Sequence, residues 1–453
     1  MWKKLFTPLE KTTVRKRSSL TGFSWFFIFG IVFWSCNPVF AKTTEEEIAE
    51  LKARIIQLEE RLAQQENKTV EVEKIAHGAE REISEFIEYK PGEGVEIKPV
   101  GLRIGAGATF VLQGTNNANG DELAKNGEDA TDVSYSMDLE FEKTFSDYGL
   151  AFLHLETGAG AGVEDELKVF SNVNRDADNS DNSVSVTEVW YEHYFKALPL
   201  TLTFGKIDPT AYLDTNEYAN DECTQFLGHI FRNSPVVEFP DDNAAGIRVA
   251  INPADFLGIE FAAMDANADW EDVLDNMFLA GQLNFKPKLL ERPGNYRVYG
   301  WLNDKDHIKW DDALKTKEKS YGFGLSLDQE ITDVFGAFAR YGWQNPEVYA
   351  DGSEFSLEQS WSAGIRLAGN LWGRNDDIFA IAFGQVMPSD DYKKANDLKA
   401  KTESHLEAYY NIKVNDHLSV SPDIQVIWDP YGGDATNGDK TIFVGGVRAQ
   451  VDF

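Results

Sequence analysis

The sequence predicts an all-β fold: a sixteen-stranded antiparallel transmembrane β-barrel, preceded by a short α-helical coiled coil. Three observations carry this. From Gly101 to Phe453 hydrophobicity alternates with period 2, the signature of strands with one apolar face. Past residue 41 no stretch offers the roughly 18 consecutive apolar residues of a membrane helix. Short turns and long polar stretches alternate along the chain, as they do in outer-membrane barrels.

The alternation is plain in Leu200-Thr-Leu-Thr-Phe204, Ile247-Arg-Val-Ala-Ile251 and Trp361-Ser-Ala-Gly-Ile-Arg-Leu367. Marking every such run gives strands near 101–113, 133–145, 148–158, 184–196, 200–207, 245–252, 256–265 and 277–286. They continue at 295–303, 320–328, 334–343, 360–369, 377–386, 404–414, 418–428 and 441–453. The even number suits a single-chain bacterial barrel, and about 22 residues per strand and connection suits strands of roughly ten residues. A soluble β-sandwich would need polar outward positions. Here one alternate face stays Leu, Val, Ile, Phe and Trp from the first strand to the last.

The short turns include Ser146-Asp147, Ala197-Leu198-Pro199 and Asn415-Asp416-His417. The long stretches include 114–132, 159–183, 208–244, 304–319, 387–403 and 429–440. Stretch 208–244 carries a helix-like run, Asn220 to Phe231, and mixes apolar with polar residues, so it is expected to fold into the barrel mouth or lumen.

Residues 1–41 read as a signal peptide: a basic segment from Lys3 to Arg17, an apolar core from Phe23 to Trp34, and small residues before the cut in Val39-Phe40-Ala41. Bulky Phe33 and Trp34 ahead of Cys36 argue against lipidation there. Cleavage before Lys42 would leave Cys223 as the single cysteine, which excludes an internal disulfide. It would also deepen the net charge from −32 to about −37. Such a charge repels nucleic acid.

Residues 42–90 are expected to be a helical periplasmic segment, and 91–100 a linker. Ile48, Leu51, Ile55, Leu58 and Leu62 are spaced by alternating threes and fours, the a/d stripe of a coiled coil. The stripe points to a homo-oligomer held through the helix, and to a tether between outer membrane and cell wall. A weaker helical stretch follows from Val70 to Tyr89, ended by Lys90-Pro91-Gly92.

Several motifs resemble the carbohydrate-selective porin (OprB) family. They are Phe204-Gly-Lys-Ile-Asp208, Tyr218-Ala-Asn with Thr224-Gln-Phe-Leu227 and Pro235, and Glu407-Ala-Tyr-Tyr-Asn411 followed by Pro422-Asp-Ile-Gln425 and Pro430. The resemblance covers roughly residues 95–453 and leaves out the coiled coil. It implies a sixteen-stranded sugar channel of the bacterial outer membrane with Arg and aromatic side chains at a constriction. Phe453 is similar to the terminal aromatic that such barrels present to their insertion machinery.

Alternation then assigns the lumen. If Val447, Ala449 and Val451 face lipid, Arg448 faces inward, and the same logic turns Arg103, Arg248, Arg297, Arg340 and Arg366 inward. A charge on the lipid face near mid-bilayer would cost roughly 2–4 kcal/mol. Asp138, Glu140, Glu156, Glu188, Glu192, Glu260, Glu407, Asp423 and Gln425 read inward too, as do the aromatics Trp190, Tyr299, Trp301 and Tyr409. Guanidinium forks and carboxylates suit sugar hydroxyls, and aromatic faces suit the C–H faces of sugar rings. The candidate substrate-contacting set is Arg103, Arg248, Arg297, Arg340, Arg366, Arg448, Glu188, Glu192, Trp190, Trp301, Tyr409, Asp423 and Gln425. Asp214, Asn216, Asp221 and Glu222 are dense, but their spacing fits no standard Ca²⁺ loop, so no metal and no cofactor is expected. No nucleophile and base fall into a catalytic pattern, so an enzyme is not expected. The expected partners are small sugars and outer-membrane lipid.

Overall fold

A computed structural model describes residues 44–453 except 121–127, 178–180, 241–242 and 435–439, with the side chains of 71–73 and 75–82 also left out. The signal peptide and its cleavage site lie outside the described residues. The chain divides into two units between His77 and Gly78.

Helix α1 runs from Thr44 to Phe86. Its first turn carries Glu45, Glu46 and Glu47, which complement the positive end of the helix dipole. The helix passes through the weak region around Gly78 unbroken, at a cost of about 1 kcal/mol for that glycine, and it ends four residues before the expected stop. The residues expected as the helix end and the linker instead form a hairpin. Ile87–Lys90 pairs with Gly94–Ile97, and Gly94–Ile97 in turn pairs with the first barrel strand. A turn of 3₁₀ helix, Lys98–Val100, follows.

Sixteen long strands then form the barrel. They are β1 (Leu102–Asn116), β2 (Thr131–Phe145), β3 (Gly149–Ala159), β4 (Ser185–Phe195), β5 (Leu200–Ile207), β6 (Ala244–Ala254), β7 (Leu257–Asp265) and β8 (Met277–Phe285). The second half holds β9 (Arg292–Lys309), β10 (Glu318–Glu330), β11 (Phe335–Gln344), β12 (Leu357–Ala368), β13 (Ile378–Pro388), β14 (Glu403–Asn415), β15 (Leu418–Trp428) and β16 (Ile442–Asp452). Each pairs antiparallel with the next. The sheet closes because β16 pairs with β1, from Phe443↔Asn116 to Asp452↔Gly107. Closure leaves no strand edge unpaired, as a bilayer interior requires. All sixteen expected runs fall on these strands.

The outward face is apolar and exposed, with Phe110, Leu112, Phe204, Ile247, Phe261, Val298, Phe323, Ile424 and Val447 among its residues. The inward face departs from simple polarity. Phe338, Ala380, Ala382, Val386 and Tyr409 point inward and bury Phe226, Ile230, Phe231 and Val236 of the 208–243 connection. Ile207, Met264, Phe278 and Trp301 likewise bury Leu213 and Val237. Each fully buried Phe, Leu or Ile contributes about 1.5–3 kcal/mol, so the wall holds this connection inside as firmly as a core holds a helix. Gly336 and Gly384 leave the space that the Tyr218 ring and Ile230 fill; a Cβ on Gly384 would sit 2.7 Å from Ile230 Cδ1.

The 208–243 connection therefore folds inward as expected, but without the helix at 220–231. Past a 3₁₀ turn at Pro209–Ala211, the described residues hold one short α-helix, His229–Arg232, here α2. The Asp221 side chain instead turns the backbone by accepting from Cys223 N at 2.8 Å, the kind of local bond that competes with a helix. A second connection, between β3 and β4, folds inward over residues 160–177, burying Val163, Leu167 and Val173 against Ile427, Ile442 and Val444.

Candidate functional site

One cavity of about 1050 Å³ crosses the barrel. At the short-turn end its lining includes Glu93, Arg103 and Asp452; at the long-loop end it includes Tyr349, Ser353 and Phe355. Between them, one wall is the inward face of β2–β4, with Asp138, Glu140, His154, Glu156, Thr187 and Glu188. Facing that wall are the two inward connections, which bring Arg175, Asp176, Asp208, Thr210, Glu222, His229, Arg232 and Asn233.

The connections are pinned by buried polar groups. Glu407 accepts from Leu227 N and from Gly228 N at 2.9 Å. Glu403 accepts from Phe170 N at 2.9 Å and Tyr431 N at 2.7 Å. Asp176 accepts from Ser136 Oγ at 2.9 Å, and burial pushes its carboxyl up to about 8. Burial, with the Arg175 and Arg232 guanidiniums close by, pushes the His229 imidazole down to about 3, so it stays neutral. Arg232 pairs with Glu222 and donates to Thr210 Oγ1 at 3.0 Å, which fixes its fork at the cavity edge.

All thirteen sequence-derived candidates lie on the inward face, but few reach the cavity. Arg103 and Glu188 line it. Arg103 pairs with Glu142 at 2.6 Å. Glu188 accepts from Trp190 Nε1 at 2.9 Å, and Trp190 packs on Phe152 with ring centres 5.1 Å apart. Arg248 is held by Glu260 at 3.0 Å and Glu192 at 3.3 Å and lies over the Tyr212 ring. Arg297 pairs with Asp328 at 2.6 Å.

The others serve as anchors for the inward connections. Arg340 pairs with Asp214. Arg448 donates to Glu222 O at 2.7 Å and Gln225 O at 2.8 Å. Gln425 donates to Val173 O at 2.9 Å and to Asp423 at 3.0 Å. Trp301 is buried in one apolar cluster under the 208–243 connection, off the main cavity, and Tyr409 packs in the other, with part of its ring on a smaller cavity. Arg366 lines a smaller cavity of about 400 Å³ near the short-turn end, with Glu217, Tyr218 and Tyr409. The dense acidic set disperses: Asp214 meets Arg340, Asn216 donates to Ser326 Oγ at 3.1 Å, and Glu222 meets Arg232.

Sequence reasoning missed Arg175, Arg232 and His229 because it followed strand alternation, and these stand on connections. A signal existed. Arg175 and Arg232 are the only arginines in their stretches, 159–183 and 208–244. Each lies close to apolar residues, Val173 and Phe231, that anchor it inside.

Residues 149–453 match the family described as "Carbohydrate-selective porin, OprB family". The chain is 25% identical to an uncharacterized protein of Aquifex aeolicus, over 50% of this chain and 58% of that protein's length. It is 21% identical to Porin B of Pseudomonas aeruginosa, over 59% of this chain and 68% of that one. Among solved structures, OprB of Pseudomonas putida at high pH aligns with a TM-score of 0.68 and 16% identity, covering 78% of this chain and 94% of that one. The OmpF structure of Salmonella typhi shares the fold at a TM-score of 0.50 and 9% identity, covering 81% and 100%.

Proposed function

The chain belongs to the carbohydrate-selective porin, OprB family, which makes it an outer-membrane β-barrel rather than an enzyme, and from that premise we propose that it carries small neutral sugars passively through the cavity between β2–β4 and the two inward connections. The observation that carries this reading is that donors and acceptors from both walls meet in one cavity. Arg175, Arg232, His229 and Asn233 on the connections and Thr187 and Glu188 on the wall line one cavity. A sugar hydroxyl both donates and accepts, so it can bridge the two sides. Tyr349 and Phe355 stand at the long-loop mouth, where a ring face can receive the C–H side of a pyranose. Of the strand arginines, Arg103 keeps a place on the path; the buried ones shape it by holding the connections.

The site is weak by this reading, because a channel must release what it binds. Millimolar affinity is about −4 kcal/mol, within reach of a few hydrogen bonds and one stacked ring. In a planar bilayer, glucose, maltose or sucrose should reduce ion conductance in a saturable way. Arg175→Ala and Arg232→Ala should weaken that block several-fold. If all three sugars leave the conductance of the unmodified channel unchanged, the sugar reading is lost.

A second reading has its own support. Among the described residues the cavity holds three guanidiniums, Arg103, Arg175 and Arg232, against many more carboxylates, among them Asp138, Glu140, Glu156, Glu188, Asp208, Asp221 and Glu222. That balance suits a general, cation-preferring porin. A link to the cell wall also remains a reading for α1, whose length is roughly 65 Å at 1.5 Å per residue.

A further inference from the structure

We propose that Asp138, His154 and Glu156 form a binding site for a divalent transition-metal ion of the zinc type in the wall of the channel. The residues stand together because of strand register. Asp138 on β2 is directly opposite Glu156 on β3, and His154 lies two residues along the same face. One ligand atom from each falls within 4.8 Å of the other two. Ligands at 2.0–2.1 Å around a tetrahedral ion are about 3.3 Å apart, so a small contraction of the outer pair would close the set. His154 Nε2 is already 2.9 Å from Asp138 Oδ1.

Two physical features ask for a cation at this point. Like charges directly opposite in an antiparallel pair destabilise it, and Asp138 and Glu156 are such a pair. The second feature is how the imidazole is held. Thr187 Oγ1 lies 2.7 Å from His154 Nδ1 and 3.4 Å from the His154 carbonyl. With the hydroxyl proton on the carbonyl, Nδ1–H donates to Oγ1. In that tautomer the Nε2 lone pair is available to an ion beside the Asp138 and Glu156 carboxylates; in the other, Nε2–H donates to Asp138 Oδ1 and an ion must displace that proton. An outer hydrogen bond that fixes the tautomer is how protein imidazoles are prepared as metal ligands.

The donor set names the ion class. One imidazole with two carboxylates suits Zn²⁺ or a neighbouring first-row ion, whereas Ca²⁺ and Mg²⁺ take oxygen sets. Three protein ligands leave a fourth position open, and all three residues line the cavity, so that position faces the channel water. A bound ion would add positive charge to an acidic path and should reduce cation flow.

The test uses the full chain folded in detergent, titrated with Co²⁺ for its visible absorption and with Zn²⁺ in competition. One ion per chain is expected, with Mg²⁺ unable to displace it. His154→Gln and Glu156→Gln should abolish stoichiometric binding, and Thr187→Val should weaken it about ten-fold or more. Each variant is first checked for barrel circular dichroism and for a channel conductance in metal-free buffer. No stoichiometric binding by the unmodified chain means that the His154–Asp138 hydrogen bond alone accounts for the arrangement, and it overturns the proposal. Binding that survives in both folded variants overturns it as well. In bilayers micromolar Zn²⁺ should lower conductance reversibly on chelation, and only with His154 intact; bound metal without that effect overturns the placement on the path. The titration does not depend on the sugar reading, so failure of sugar block and failure of the metal site are separate results.

Discussion

Asp214 on the 208–243 connection and Arg340 on β11 form an ion pair at 3.2 Å with both side chains sealed from solvent, 0% and 1% exposed. Arg340 also donates to the Asp214 carbonyl at 2.9 Å and to the Phe231 carbonyl. One guanidinium thus ties the start of the connection, its short helix α2 and the barrel wall together. Asp214 spends its other oxygen on Ser234 N at 2.7 Å. The charges are compensated on every side, which is the condition under which a buried pair survives.

Removing only Arg340 should therefore be severe. Arg340→Leu strands the Asp214 carboxylate, a change that costs about 3–5 kcal/mol. The expected outcome is an intact barrel with a loosened connection, seen as trypsin cleavage after Arg232 and as higher conductance. Adding Asp214→Asn should restore part of the loss, since no bare charge then remains inside. Equal protease resistance in Arg340→Leu and the unmodified chain would show that apolar burial alone holds the connection.

The 160–184 connection should respond to pH through Asp176 and Glu164. Burial holds Asp176 up to about 8 and Glu164 up to about 7, while unfolded carboxyls titrate near 4. Between those values the released segment binds fewer protons than the folded one, so its anchoring weakens as pH rises. The stabilisation is complete below about pH 4 and gone above about pH 8. Hydrogen exchange of backbone amides 160–177 should accelerate from pH 5 to pH 8 beyond the intrinsic chemical rate. Asp176→Asn should flatten most of that excess.

The strands were legible because lipid on one side enforces a strict period of 2, and every run such as 247–251 obeys it. Inward direction was legible for the same reason: Arg297 and Arg340 could not face acyl chains. What alternation hides is the second layer inside. Phe338, Val386 and Phe278 break the polar inner face, and in sequence they read only as strands apolar on both sides. Those residues are the seat of the inward connections, so their presence decides that Arg340, Tyr409 and Gln425 are covered. The same blindness removed Arg175 and Arg232 from view, since nothing periodic marks a loop residue. The hairpin at 87–97 was missed because Pro91-Gly92 signals a break but does not say that both flanks pair.

Helix α1 should associate with copies of itself through its stripe. Ile48, Leu51, Ile55, Leu58 and Leu62 are 47–63% exposed on the single chain. Five apolar side chains in one row at heptad spacing seek a partner seam. Ile55→Asp with Leu58→Asp would bury charge in that seam and should convert a self-associated species to a monomer in light scattering of detergent-solubilised protein. A chain that is monomeric before the change would show that the stripe packs on something else.

The channel should prefer cations, and the preference should trace to β4 and the start of the 208–243 connection. Glu188 and Asp208 stand side by side at the cavity wall, with Asp208 N donating to Glu188 Oε2 at 3.3 Å. Among the described residues no lysine lines the cavity, and the three guanidiniums there are partly spent: Arg103 faces Glu142 and Arg232 faces Glu222. A permeating anion therefore meets net negative charge along the whole path, while a neutral solute meets none that matters. Reversal potentials across a KCl gradient should show potassium favoured over chloride. Glu188→Gln with Asp208→Asn should lower the ratio markedly. The preference should also shrink from 0.1 M to 1 M salt, because the screening length falls from about 10 Å to about 3 Å. Anion preference at low salt would mean that Arg175, exposed at the cavity, outweighs the carboxylates around it, and the electrostatic account of the path would have to be rebuilt around that one guanidinium.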